Sequence, residues 1–187
     1  MIAFFFNIYY TKDKIAFPEK GETMIALKII DTQKMMQTLL SETTFDSFAL
    51  QEASVTMDTT LFLDGRLNRA FFPEKKQPPA SQSFSLYQDN RPLLSSYMKG
   101  ELSPLSFKIV LQAPHDYMQK LLQSPELTID PSSVKALILT LRFEHDMLTC
   151  LTGIAFHTFV PDKSLDTLWD NAVRKSLAHM QIAFEDM

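Results

Sequence analysis

The amino-acid sequence predicts an α+β fold in which two tandem β-α-β-β(-α) repeats, residues 24–104 and 105–187, form one antiparallel-sheet-rich domain. Three observations carry that reading. "DGRLNRAFFPEK" (Asp64–Lys75) returns late in the chain as "TGIAFHTFVPDK" (Thr152–Lys163). The echo extends upstream, where "LKIIDTQKMMQTLL" corresponds to "FKIVLQAPHDYMQKLL" with two residues inserted, and downstream, where "LYQDN" at Leu86 corresponds to "LWDN" at Leu168. Finally, extended and helical patterns alternate in the same order in both halves, as expected of a repeated supersecondary unit.

Each element has its own warrant. "MIALKII" and "LSFKIVLQ" are short, rich in β-branched and aromatic residues and bounded by polar or proline positions, so both read as strands. The sequence then changes to helical spacing. Met35, Met36, Leu39 and Leu40 share one face, as do Tyr117, Met118, Leu121 and Leu122. Asp31 or Thr32 caps the first of these helices. Two extended runs follow in each copy, turning at "MDTT" and at "EHDM". Gly65 and Gly153 occupy the same place in the last strand of each copy, where a missing side chain marks a bulge or a close backbone approach. Pro73 and Pro161 end those strands, because proline cannot continue the ladder. A helix closes each copy. In the second, Leu165, Leu168, Trp169, Ala172, Val173, Leu177 and Met180 form an apolar stripe, with acids toward the favourable N-terminal end. Tyr87 holds the place of Trp169 in the first copy, and both are expected to pin a helix against its sheet.

Composition bounds the function classes. A chain of 187 residues, 45% apolar and 21% charged with four glycines, is an ordinary globular protein. Its net charge of −4 argues against a general polyanion binder. A lone cysteine, Cys150, excludes an internal disulfide framework and suits a reducing compartment, so a cytoplasmic location is expected. No apolar stretch approaches the length that spans a bilayer. Residues 1–23 are read as an N-terminal extension with a mis-assigned start. They lack a basic beginning and a cleavage site, and "KGE" just before Met24 is encodable as a bacterial ribosome-binding sequence, which places the natural start at Met24.

The duplicated β-α-β-β unit, with "LDGRLNRAFF" on its last strand, resembles the repeated unit of DNA sliding clamps, although Thr152 replaces the aspartate in the second copy. That resemblance implies a clamp-like fold. Separately, "MIALKII", "LDGR", "KGELSPLSFKIVLQ" and "LDTLWD" are similar to stretches of an uncharacterised protein family of Firmicutes, which implies a bacterial, cytoplasmic context and no assigned activity.

Catalytic signatures are missing from the sequence. It has no glycine-rich phosphate loop, no G-x-S-x-G, no H-E-x-x-H and no cysteine pair, so no catalytic, cofactor-binding or metal-binding residues are assigned and no cofactor is expected. Cys150 sits inside a strand and reads as a packing residue rather than a nucleophile. His145 reads as a turn residue and His115 as one that precedes a helix. Arg66, Arg69, Lys75 and Lys76 form the one basic concentration, a candidate anion or partner contact, with Lys99 nearby if the following helix folds back. A non-enzymatic module binding a protein or peptide partner is therefore the leading expectation. A small apolar ligand in the Phe- and Met-rich interior, which draws on 15 Phe and 10 Met, is the alternative. A DNA-associated accessory factor is the third reading and rests on the clamp resemblance. An enclosed cavity under the last helix would favour the small ligand, and an exposed apolar groove over a solid core would favour the partner.

Overall fold

The computed structural model describes residues 25–187, so the expectation for the 1–23 extension lies outside the described residues. The described chain runs β1 (Ala26–Ile29), α1 (Thr32–Leu40), β2 (Ala49–Thr56), β3 (Thr60–Asp64), α2 (Tyr87–Met98), β4 (Ser106–Gln112), α3 (His115–Leu122), β5 (Val134–Glu144), β6 (Met147–Phe156), α4 (Ser164–His179) and β7 (Phe184–Asp186). The order β-α-β-β-α thus occurs twice, followed by a short terminal strand, and the fold class is α+β as expected. All seven strands join one antiparallel sheet in the order β3-β2-β4-β5-β6-β1-β7.

Local chemistry explains the ends of these elements. Asp31 caps α1, its Oδ1 accepting the Lys34 N–H at 3.1 Å. The β5–β6 turn holds His145 and Asp146 at φ 52° and 59°, the two left-handed positions of a tight primed hairpin, which Asp and His tolerate better than most residues. After α4, Gln181 takes φ 56° and the Ile182 N–H reaches back to the Leu177 carbonyl at 2.9 Å. This left-handed cap turns the chain into β7, beside β1.

Alternate strand residues, among them Leu27, Val55, Ile109, Leu139, Leu141 and Cys150, are buried in one cluster with Met35, Leu39, Tyr87, Leu94, Met118, Leu165, Trp169 and Val173 from the four helices. The helices therefore cover one face of the sheet. The other face carries Lys28, Lys108 and Phe62 in the open. Tyr87 and Trp169 are the expected anchors. Tyr87 is fully buried and its hydroxyl donates to the Leu39 carbonyl at 3.0 Å, while the buried Trp169 indole donates to the Ile138 carbonyl at 3.0 Å.

Strand pairing is less symmetric than element order. In the second half β4 pairs with β5, but in the first half β1 leaves β2 and pairs with β6, while β2 pairs with β4. Each hairpin stays intact and the two halves interlock in one sheet. The two glycines also differ. Gly65 lies against a β-bulge at Gln51, donating to the Gln51 carbonyl at 3.0 Å. Gly153 pairs in regular register with Ile138.

Candidate functional site

The apolar concavity of the helical face lies between α3, α4 and the loop at 41–48. This loop turns Phe45, which is buried, and Phe48, which is half-buried, toward the core, and α2 holds it from behind. The Tyr87 and Gln88 N–H groups, the unpaired first-turn donors of α2, reach the Phe48 and Asp46 carbonyls at 2.8 and 3.4 Å. Arg91 adds a two-pronged bond to Asp46, Nε to Oδ1 at 2.8 Å and a terminal nitrogen to Oδ2 at 3.1 Å. That fork turns Phe45 and Phe48 inward as an edge-to-face pair 5.5 Å apart.

Phe45 and Phe48 form one wall of an open groove of about 720 Å³, with Pro114, Tyr117 and Leu121 opposite and Leu168, Trp169, Ala172 and Met180 along α4. Tyr117 packs edge-on against Trp169 at 6.0 Å and remains 38% exposed, so its ring is presented at the surface. The ionisable residues lining the groove are Lys175, Tyr117 and His179, with no carboxylate among them. Beneath the groove, a gap of about 40 Å³ lined by Met35, Leu139, Cys150 and Val173 reaches under α4. That is close to the volume share of a single water, about 30 Å³.

Cys150 borders this gap from β6. Complete burial pushes its thiol up to about 12, so it stays protonated and serves packing. Of the histidines, His145 lies in the β5–β6 turn, His115 opens α3, His157 follows β6 and His179 ends α4 at the groove. Among the described residues, no group of three or more His, Cys, Asp or Glu side chains is arranged to hold a metal ion.

The basic residues singled out from the sequence lie elsewhere, in the long loop joining β3 to α2. Arg69 is the keystone of that loop. Its guanidinium donates to the carbonyls of Pro78, Pro79, Ala80 and Gln82 at 2.9–3.3 Å. Gln77 braces the same loop, its amide nitrogen donating to the Arg69 and Phe72 carbonyls. Arg66 is solvent-exposed beside Asp64, at 4.0 Å, and Lys75 and Lys76 are exposed on a short 3-10 turn. Lys99 follows α2 and is exposed.

One polar cluster escaped sequence reasoning. Asp166 and Asp170, expected only as acids toward the favourable N-terminal end of α4, are buried. Asp170 accepts a short hydrogen bond from the Thr152 hydroxyl, which itself accepts the Ile25 N–H at 3.2 Å. The signal was present: acids four apart in α4, at Asp166 and Asp170, each follow a stripe residue, Leu165 and Trp169. Burial, above all, holds the Asp170 carboxyl above its ordinary value. Asp166 adds to the rise, while the Thr152 hydroxyl, the Ile25 N–H and Arg174 oppose it. A raised folded-state value means that Asp170 favours folding most when protonated, and that this contribution is lost as pH rises through the folded value. Asp170→Asn keeps an acceptor for Thr152 and removes the buried charge. Its melting temperature should exceed that of the wild type at neutral pH, with the gap closing as pH falls toward the ordinary carboxylate range. A variant that is less stable at neutral pH, with an unchanged pH slope, would contradict this account.

Among the described residues no helix is long and apolar enough to cross a membrane. No curated protein and no solved structure matches the chain significantly. Residues 38–185, most of the chain, match the model of a family of unknown function, DUF5721, and the protein belongs to that family.

Proposed function

We propose that the protein is a non-enzymatic interaction module that docks an amphipathic segment of a partner protein in the groove between α3 and α4. The observation that carries this reading is the contrast between the two spaces beside α4. The space below it is about 40 Å³, too small for a ligand, whereas the groove of about 720 Å³ is open along its length. A small-molecule site encloses most of its ligand. An open trough between two helices, floored by aromatic and aliphatic side chains, suits a partner helix that lays apolar residues into it at a spacing of three and four. Lys175 and His179 line the groove with no carboxylate in the lining, so the complementary segment carries carboxylates along its flank. Tyr117, exposed and rigidly backed by Trp169, is the expected hot spot.

A second reading, a small amphipathic ligand, is favoured by one feature. The groove and the gap below it share Phe45, Phe48, Trp169, Ser176 and Met180, so a shift of α4 would join them. The nucleic-acid reading rests on the clamp resemblance alone. A groove whose lining holds one lysine and no arginine gives it little support.

Selection of displayed random peptides on the full chain tests the proposal, with dodecanoate as the probe for the second reading. The expected peptides are apolar with acidic flanks. Tyr117→Ala should weaken their binding by about ten-fold and Lys175→Glu by several-fold, with little change in melting temperature. Peptides indifferent to both substitutions would refute the assignment of the groove. Saturable stabilisation by dodecanoate, with no enriched peptide, would replace the first reading with the second.

A further inference from the structure

The repeated string, residues 64–75 and again 152–163, ends in Phe-x-Pro-acid-Lys: Phe71, Pro73, Glu74 and Lys75 in the first copy, and Phe159, Pro161, Asp162 and Lys163 in the second. Core packing cannot account for this repetition. Phe71 is 81% exposed and Phe159 is 91% exposed, more than any other large apolar side chain among the described residues. Single exposed apolar residues are common on surfaces and need no explanation. Two at corresponding places in a repeated motif are a different matter.

Topology puts both on one rim. Four antiparallel steps separate β3 from β6 in the sheet, so the two strands run in the same direction and their following loops leave from the same end. At about 4.8 Å per step, the two strands lie roughly 19 Å apart across the sheet, turned against each other by its twist. Both loops are braced. Arg69 and Gln77 tie down the first. In the second, Asp162 accepts from the Thr128 hydroxyl and the Ser164 N–H, and the His157 N–H donates to the Ser133 carbonyl at 2.8 Å. Each ring is therefore held out on a preorganised support. The rim also has opposite charge at its two ends. Arg66, Lys75 and Lys76 outnumber Asp64 and Glu74 around the first ring. In the second loop and the segment 126–135 hydrogen-bonded to it, Glu126, Asp130 and Asp162 outnumber Lys135 and Lys163.

We infer that this rim is the interface of a two-fold dimer of the chain, the Phe71 loop of one copy meeting the Phe159 loop of the other. A two-fold axis makes every contact twice, and it requires a surface complementary to itself when turned end for end. A surface with an aromatic prong at each end and opposite charge around the prongs meets that requirement. A uniformly anionic membrane or nucleic acid would instead be repelled from the Glu126–Asp130 end. This inference does not rest on the groove reading, because the groove is lined by other residues.

Sedimentation velocity of the full chain, from micromolar to submillimolar concentration, tests it. The wild type should dimerise, and Phe71→Ser and Phe159→Ser should each weaken the dimer by about ten-fold or more, the effect of removing a hot-spot aromatic. Lys75→Glu with Lys76→Glu should give monomers, and adding Glu126→Lys with Asp130→Lys should restore the dimer. Monomers at every concentration, a dimer indifferent to the phenylalanine substitutions, or a charge reversal that the second pair fails to rescue would each overturn the proposal. All the altered side chains are exposed, so unchanged melting temperatures verify that only association is being read.

Discussion

Trp169→Ala is expected to unfold the protein or loosen it visibly. Trp169 is 3% exposed, and its ring lies between the sheet and the groove, touching Tyr117 on one side and lining the gap beneath α4 on the other. Truncating a buried aromatic of this size costs about 3–5 kcal/mol, against a total stability of about 5–15 kcal/mol for an ordinary domain. The loss has two parts that a second variant separates. Trp169→Phe keeps most of the buried area but removes the indole N–H that serves the Ile138 carbonyl, and should cost only about 1–3 kcal/mol. Chemical denaturation followed by circular dichroism gives both values. A Trp169→Ala protein with an unchanged midpoint and lost partner binding would move this residue from the core to the binding surface.

The same tryptophan shows what was legible in the sequence. A helical stripe ending a repeat identified Trp169 and Tyr87 as anchors, because burial of one helix face leaves a periodic trace in the residues themselves. Hairpins were legible for a similar reason: Glu144–Met147 carries its turn chemistry locally. The excursion of β1 to β6 was not, since the partner of an isolated strand is decided by contacts more than a hundred residues away. Nor was the groove. Phe45 and Phe48 sit in a stretch with no periodicity, and what turns them inward is a fork from Arg91, far along the chain. Of the basic group proposed from the sequence, Arg69 has become loop architecture, whereas Arg66, Lys75 and Lys76 remain on the surface. Spacing alone cannot tell a guanidinium that meets solvent from one that meets carbonyls.

Gly65→Ala is expected to be the most damaging small substitution in the chain, and Gly153→Ala one of the mildest. Gly153 lies within β6 and Gly65 just past the end of β3, although the repeat makes the two look interchangeable. A methyl group on Gly65 would lie 1.8 Å from the Leu50 carbonyl oxygen and 3.2 Å from that of Gln51, and backbone cannot rotate aside as a side chain can. The bulge at Gln51 brings β2 this close. Relief requires parting a junction in which Gly65 donates to Gln51 while its carbonyl takes the Ser85 N–H at 2.8 Å, and in which Leu50 donates to the Ser85 carbonyl at 2.9 Å. This junction also anchors both ends of the Arg69 loop, so the presentation of Phe71 should fail with it. The cost should reach or pass the upper end of the about 1–3 kcal/mol typical of overpacking. At Gly153 the added methyl meets the Ile138 Cβ at 3.8 Å, an ordinary contact, and reduced freedom of the unfolded chain should leave stability unchanged or raised by up to about 1 kcal/mol. Urea midpoints of the two variants decide the matter. Equal midpoints would mean that the bulge does not hold β2 against Gly65, and that the close approach on which the β3 loop depends is absent in solution.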